Sequence, residues 1–140
     1  MIMPHSFQFE VEHSYHSRQD GIWIPTFLTV GTTTLECEAK VDTGAEFCLF
    51  QREMADRLGL QVETGHLLPL QTLNSNFKAY GHEVQLSTLG LAFQVIVYFA
   101  EDYGLPRNLL GRNGWLQQVK LAVIDYEETL YLSAYEPIIN

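Results

Sequence analysis

The sequence predicts one mostly β domain with one or two short helices, on three observations. Short runs of alternating apolar and polar residues recur along the chain, glycine-bearing or polar clusters separate them, and a fourfold apolar spacing is convincing in only one stretch. At 140 residues and 46% hydrophobic, the chain can bury one sizeable core, and a second independent domain would be cramped. The domain is therefore residues 1–140, with 1–20 an N-terminal extension that carries an edge strand.

The elements follow in order. FQFEVEH at 7–13 alternates, GIWIPTFLTV at 21–30 is rich in β-branched and aromatic residues, and TTLECEAKV at 33–41 alternates strictly. In the last run Leu35, Cys37, Ala39 and Val41 share one face, as in an antiparallel strand buried on one side. Gly31 lies between the second and third runs and predicts a hairpin turn. Phe50, Met54 and Leu58 then recur every fourth residue, with Arg52, Glu53, Asp56 and Arg57 on the remaining surface, so a helix is expected there, ended by Gly59.

Downstream, residues 68–90 suggest two strands around a polar tip at Asn74-Ser75-Asn76, a long exposed hairpin. LAFQVIVYFA at 91–100 is apolar on both faces, as a central buried strand should be. NLLGRNGWLQQV at 108–119 reads as a strand end, a glycine turn and a short helix. KLAVIDY and TLYLS, joined around Glu127-Glu128, predict a last hairpin, with Asp125 at its end.

Composition excludes some partners. The formal charge of −9 leaves no cluster of Lys and Arg to neutralise phosphates, which argues against nucleic acid. The opening MIMPHSFQFEVEH has neither a basic n-region nor a long apolar stretch, so no secretory signal or membrane span is expected and a cytoplasmic location is the default. Cys37 and Cys48 sit among apolar residues in no metal-type spacing and are expected as buried free thiols. His13 and His16 face opposite sides of an extended segment without an acidic or thiol partner, so they read as surface histidines rather than a metal pair.

The stretch KVDTGAEFCLF at 40–50 breaks a good strand with Asp42-Thr43-Gly44. Aspartate is depleted in strands and costly to bury unpaired, so Asp42 is either the start of an Asx-type turn or part of a site. The tripeptide alone favours the turn. A second element downstream changes the balance: NLLGRN at 108–113 follows the long hairpin and an apolar strand.

Asp42 to Ala45 followed by a flap-like hairpin and by Leu109, Leu110, Gly111 and Arg112 resembles the retropepsin-like aspartic proteases, over roughly residues 20–133. The resemblance implies a single-lobe acid protease barrel with a flap. It also implies two catalytic aspartates that share a proton and a water molecule, one from each lobe, whereas this chain supplies one. A protease built on it is therefore a homodimer with a two-fold axis between Asp42 and its copy. The strand TLYLS, aromatic and apolar, supports the same expectation of assembly.

By the same resemblance Thr43 bonds across the dimer to the opposite loop, Gly44 lets substrate backbone come close, and Ala45 lines the cleft. Leu110 and Gly111 support the catalytic loop. Glu46 and Arg112 form a candidate ion pair, buried or half-buried. The hairpin from about Leu70 to Glu83 is the candidate flap, with Phe77 and Tyr80 as its large rings; Tyr80 either contacts substrate or packs across the strands. The tip is more polar than retroviral flaps, so substrate preference does not carry over. The substrate is a peptide or protein, and neither a metal nor an organic cofactor is needed. The competing reading is a catalytically silent dimeric peptide-binding or scaffold module of the same fold.

Overall fold

The computed structural model of the chain describes residues 2–16, 19–71 and 76–136. Strands β2 (Trp23–Val30) and β3 (Thr33–Val41) form the first hairpin, paired from Trp23↔Lys40 to Val30↔Thr33. Gly31, at φ +59°, makes the turn that its position suggested. On β3, Leu35 and Ala39 are buried while Cys37 and Val41 are half-buried, so the predicted apolar face does point to the core.

From β3 the sheet continues through pairings far apart in sequence. β3 runs parallel to β8 (Asn108–Leu110), β8 antiparallel to β4 (Leu49–Phe50), and β4 parallel to β7 (Leu91–Ala100). β7 pairs antiparallel with β6 (Asn76–Thr88), and β6 returns to β2 through Thr26↔Thr88 to Thr29↔Gln85. That last pairing closes the six strands from β2 to β6 into a barrel. The far half of β6 instead holds β5 (His66–Gln71).

Ile24, Leu28, Val84, Leu86, Val97, Phe99, Leu110 and Trp115 are among the residues buried inside the barrel. Each such side chain contributes about 1.5–3 kcal/mol relative to leaving it in water. Trp115 Nε1 donates to Thr88 Oγ1 at 3.0 Å, which satisfies two polar groups in that core. A separate three-stranded sheet stands in the order β1 (Val11–Ser14), β10 (Thr129–Ala134), β9 (Val119–Ile124), with Leu130 and Leu132 fully buried.

Several expectations are corrected. The first strand covers Val11–Ser14 rather than 7–13, because only there does the chain lie opposite Thr129–Leu132 of β10. The helix α1 is shorter than expected, Arg52–Arg57, with Leu58 capping it and Gly59 beyond at φ +76°. Phe50 belongs to β4, a two-residue strand whose partners lie 49 or more residues away and leave no local signal. β7 is central in the sheet order yet not buried on both faces, since Ala92, Gln94 and Ile96 are exposed.

The short helix expected after Gly111 is a 3-10 turn, Leu116–Gln118. The final hairpin turns through another, Asp125–Glu127, so Asp125 does lie at the hairpin end, directly after β9. Within the candidate flap, Asn74 and Ser75 lie outside the described residues; the paired part reaches Gln71↔Asn76. Among the described helices none is long and apolar enough to cross a membrane.

Candidate active site

β3 ends where its backbone partners change. The Asp42 N–H donates to the Leu110 carbonyl at 3.0 Å, the last link between β3 and β8, and the chain then bends. Asp42 Oδ1 accepts from the N–H groups of Gly44 at 3.0 Å and Ala45 at 3.1 Å. The Asx-type turn is therefore formed, and it holds the carboxylate in one orientation. It occupies one oxygen only; among the described residues Oδ2 has no hydrogen-bond partner. Asp42 is half-buried, whereas Thr43 and Gly44 are exposed.

The loop is braced from behind by the second motif. The Ala45 carbonyl accepts from Arg112 N–H at 2.9 Å and the Glu46 carbonyl from Asn113 N–H at 2.8 Å, and Phe47 bridges Asn113. Gly111 sits directly against this loop. A Cβ there would lie 2.2 Å from the Phe47 carbonyl oxygen and 2.8 Å from that of Ala45, so only glycine fits. Gly44 is different: a Cβ would meet Asp42 Oδ1 at 3.4 Å, and its φ is not in the left-handed region. Nothing within the chain demands glycine at that position.

Two supporting residues escaped the sequence reading. Cys48, buried behind both loops, accepts the Gly111 N–H on its sulfur at 3.4 Å. Burial pushes its thiol up to about 12, against a smaller lowering by the Gly111 backbone bond. Cys37 is only half-buried, and its thiol is raised to about 11, first by burial and then by Glu38. Asn108, 5% exposed, accepts from Gln51 N–H at 2.9 Å and donates to the Glu38 carbonyl at 3.1 Å, tying β3, β8 and the start of α1 together under the loop. A polar residue opening an otherwise apolar strand was the signal for it.

The expected Glu46–Arg112 ion pair is not formed. Both side chains are exposed, and among the described residues the two positions meet only through their backbones. Tyr80 donates to Glu101 Oε2 at 2.8 Å, and that bond is the main cause of its raised pKa; its ring packs against the core, as in the cross-strand reading. Phe77 lies opposite Leu70 and lines two neighbouring grooves of about 240 and 210 Å³ together with the 100–106 loop. Neither groove contains Asp42, so one chain does not bring the flap rings and the carboxylate into a common pocket.

His13 is half-buried, with Nε2 3.2 Å from the Trp23 carbonyl, and not simply a surface group; His16 is exposed. Among the described residues no group of three or more His, Cys, Asp or Glu could hold a metal ion.

A closed barrel with an Asp-Thr-Gly turn braced on a Leu-Leu-Gly segment defines a class of protein, and the comparisons agree. The family model described as aspartyl protease matches residues 28–113, more than half of the chain and both motifs. The chain belongs to the aspartyl protease family, and its fold is retropepsin-like. Its fold is similar to that of a retropepsin-like aspartic protease from Rickettsia conorii, with a TM-score of 0.66 and 20% identity over 88% of this chain and 97% of that one. It is also similar to EIAV protease, solved in complex with the inhibitor HBY-793, with a TM-score of 0.52 and 17% identity over 70% of this chain and 88% of that one. No curated protein sequence matches significantly.

Proposed function

We propose that the chain is an aspartic endopeptidase, hydrolysing peptide bonds of peptide or protein substrates with water activated between the two Asp42 carboxyls of a homodimer. One observation carries the reading: each chain presents a single oriented carboxylate at its surface, with Oδ1 held by the Gly44 and Ala45 amides and Oδ2 without a partner among the described residues. One carboxyl cannot both take and give a proton at once. A two-fold copy supplies the second.

Two carboxyls a few ångströms apart do not both ionise easily, so the pair holds one proton between them. The ionised member takes a proton from water as the water oxygen bonds to the scissile carbonyl carbon, and the protonated member donates to the carbonyl oxygen. Collapse of that intermediate breaks the C–N bond and returns a proton to the leaving nitrogen. The Thr43 hydroxyl, exposed and without a hydrogen-bond partner among the described residues, bonds to the opposite loop. Gly44 leaves room for substrate backbone beside Asp42, and Ala45 lines the cleft. Phe77 on the hairpin contacts substrate when the flap closes.

The test is cleavage of a mixed peptide library by wild type and Asp42→Asn between strongly acidic and neutral pH. Wild type should cut, best on the acidic side of neutrality, and Asp42→Asn should be slower by about 10²–10⁴-fold or more while staying folded and dimeric. Equal cleavage by both would overturn the role of Asp42, and no cleavage by a dimeric wild type at any pH would favour the silent peptide-binding module.

A further inference from the structure

We infer that the groove between Phe77 of the candidate flap and the 100–106 loop is a side-chain subsite for a basic residue, lysine or arginine, of an extended peptide. That the occupant is a peptide rests on the reading above. That the residue is basic rests on the groove itself.

Strand alternation fixes the face on which the groove opens. Ala79 of β6 stands opposite Ala100 of β7, and both are buried. Phe77, two residues before Ala79, shares that face, whereas Lys78 and Tyr80 take the other. The groove of about 210 Å³ is lined by Phe77, Ala100, Asp102, Tyr103, Leu105 and Pro106 beside Gly104. It is smaller than the ~300–1,000 Å³ usual for a small-molecule pocket, so it suits one side chain.

Asp102 is the one charged residue in that lining. It is exposed, and among the described residues it forms no hydrogen bond or ion pair. The nearby cations do not neutralise it. Arg52 is paired with Glu63 at 2.6 Å and Arg107 with Asp20 at 3.5 Å, while Lys78 borders only the neighbouring groove and forms no ion pair among the described residues. Glu101 instead accepts the Tyr80 hydroxyl at 2.8 Å. A lysine or arginine fits this arrangement, with its apolar stem against Phe77 and Leu105 and its charged head at Asp102. An apolar side chain would fill the walls and leave the carboxylate without a counter-charge.

The loop that carries Asp102 is already fixed. The Glu101 N–H donates to the Lys78 carbonyl at 2.9 Å, Arg52 Nη1 to the Glu101 carbonyl at 2.6 Å, and Gln51 Nε2 to the Leu105 carbonyl at 2.8 Å. The Tyr103 hydroxyl donates to Asp56. Asp102 is thus held beside the flap before a peptide arrives, which lowers the ordering cost of binding. The same loop runs into β8, whose Leu110 carbonyl accepts the Asp42 N–H, yet the groove does not include Asp42. The basic residue therefore lies away from the scissile bond. A two-fold pair has one such groove on each side of that bond, so basic residues on both sides are favoured.

The experiment is fluorescence anisotropy on the full-length Asp42→Asn chain, which binds without cutting, using labelled peptides identical except for one scanned position carrying lysine, norleucine or glutamate. At one position or more, lysine should bind about three- to fivefold more tightly than norleucine, as befits a single exposed ion pair, and glutamate more weakly than either. Adding Asp102→Asn should bring lysine and norleucine to equal affinity, and adding Asp102→Lys should make glutamate the preferred residue, with circular dichroism confirming the fold of each. A lysine preference that survives Asp102→Asn, or no preference or no binding at any position, would overturn the subsite. Cleavage profiles of wild type on a mixed peptide library separate this from the endopeptidase reading: cleavage without basic enrichment would overturn the subsite alone. A lysine preference in binding that depends on Asp102, without cleavage by wild type, would support the subsite and overturn the endopeptidase reading alone.

Discussion

Gly44 and Gly111 are both motif glycines, and their surroundings assign them different reasons. At Gly111 the reason is internal: a methyl group would press into the Phe47 backbone, which cannot swing aside as a flexible side chain could. Gly111→Ala should destabilise the chain by about 1–3 kcal/mol, the usual cost of overpacking, read from urea unfolding. At Gly44 the chain itself would tolerate a Cβ, so Gly44→Ala should change stability by less than about 0.5 kcal/mol and lower cleavage through crowding of substrate. A Gly44→Ala variant that cuts normally would remove that residue from the cleft. For Glu46 and Arg112, exposed and unpaired with each other, a double-mutant cycle in the isolated chain should return a coupling within about 0.5 kcal/mol of zero. A larger value would restore the ion pair that the sequence suggested.

At the scale of elements, the loop after β3 and the segment after β8 act as one unit, because three backbone hydrogen bonds and the Cys48 sulfur join them. Cys48 makes that junction sensitive to alkali. Its thiol titrates near 9 when exposed and about 12 in the fold, so its contribution to stability is fully present below pH 9. Between those values the unfolded chain releases the proton and the folded chain keeps it, so stability falls as pH rises. Cys37, raised to about 11, adds in the same direction. Denaturant midpoints should therefore decline above pH 9, and in Cys48→Ala, though less stable at neutral pH, the decline should be shallower. An unchanged slope would mean that the thiol is not protected by the fold. The hairpin of β5 and β6 has a different character: half of β6 is locked into the barrel by β2, while the half toward Asn76 carries only β5 and β7. That division suits a flap hinged on a rigid wall.

For the whole molecule, the closed barrel supplies a stable core, while β5 and the outer strands of the small sheet keep open edges. If dimerisation completes the site, the thermal midpoint depends on protein concentration, because association stabilises the folded chains by mass action. A tenfold increase in concentration should raise the midpoint by roughly 2–4 °C. Calorimetry at two concentrations checks this, and an invariant midpoint would indicate a monomer. Asp42→Asn, which removes like-charge opposition at the axis, should be at least as stable as wild type in the same measurement.

The sequence by itself determined the class of fold, the first hairpin with its inward face, and the two loops that meet at the site. These features rest on short-range signals: a period of two, a glycine at a turn, and two motifs in a set order. The Asx turn was equally local, which is why turn and site could both be proposed for Asp42; the turn is formed, and it leaves the carboxylate available to the site reading. Tertiary structure alone decided that Phe50 joins a strand, that Glu46 and Arg112 point to solvent, and that Asn108 and Cys48 brace the loop. It also set the aromatic strand at 129–134 in the middle of its sheet, between β1 and β9. The physical reason is common to all of these: each depends on partners dozens of residues away, and a pattern along the chain records which faces are apolar but not what will be packed against them.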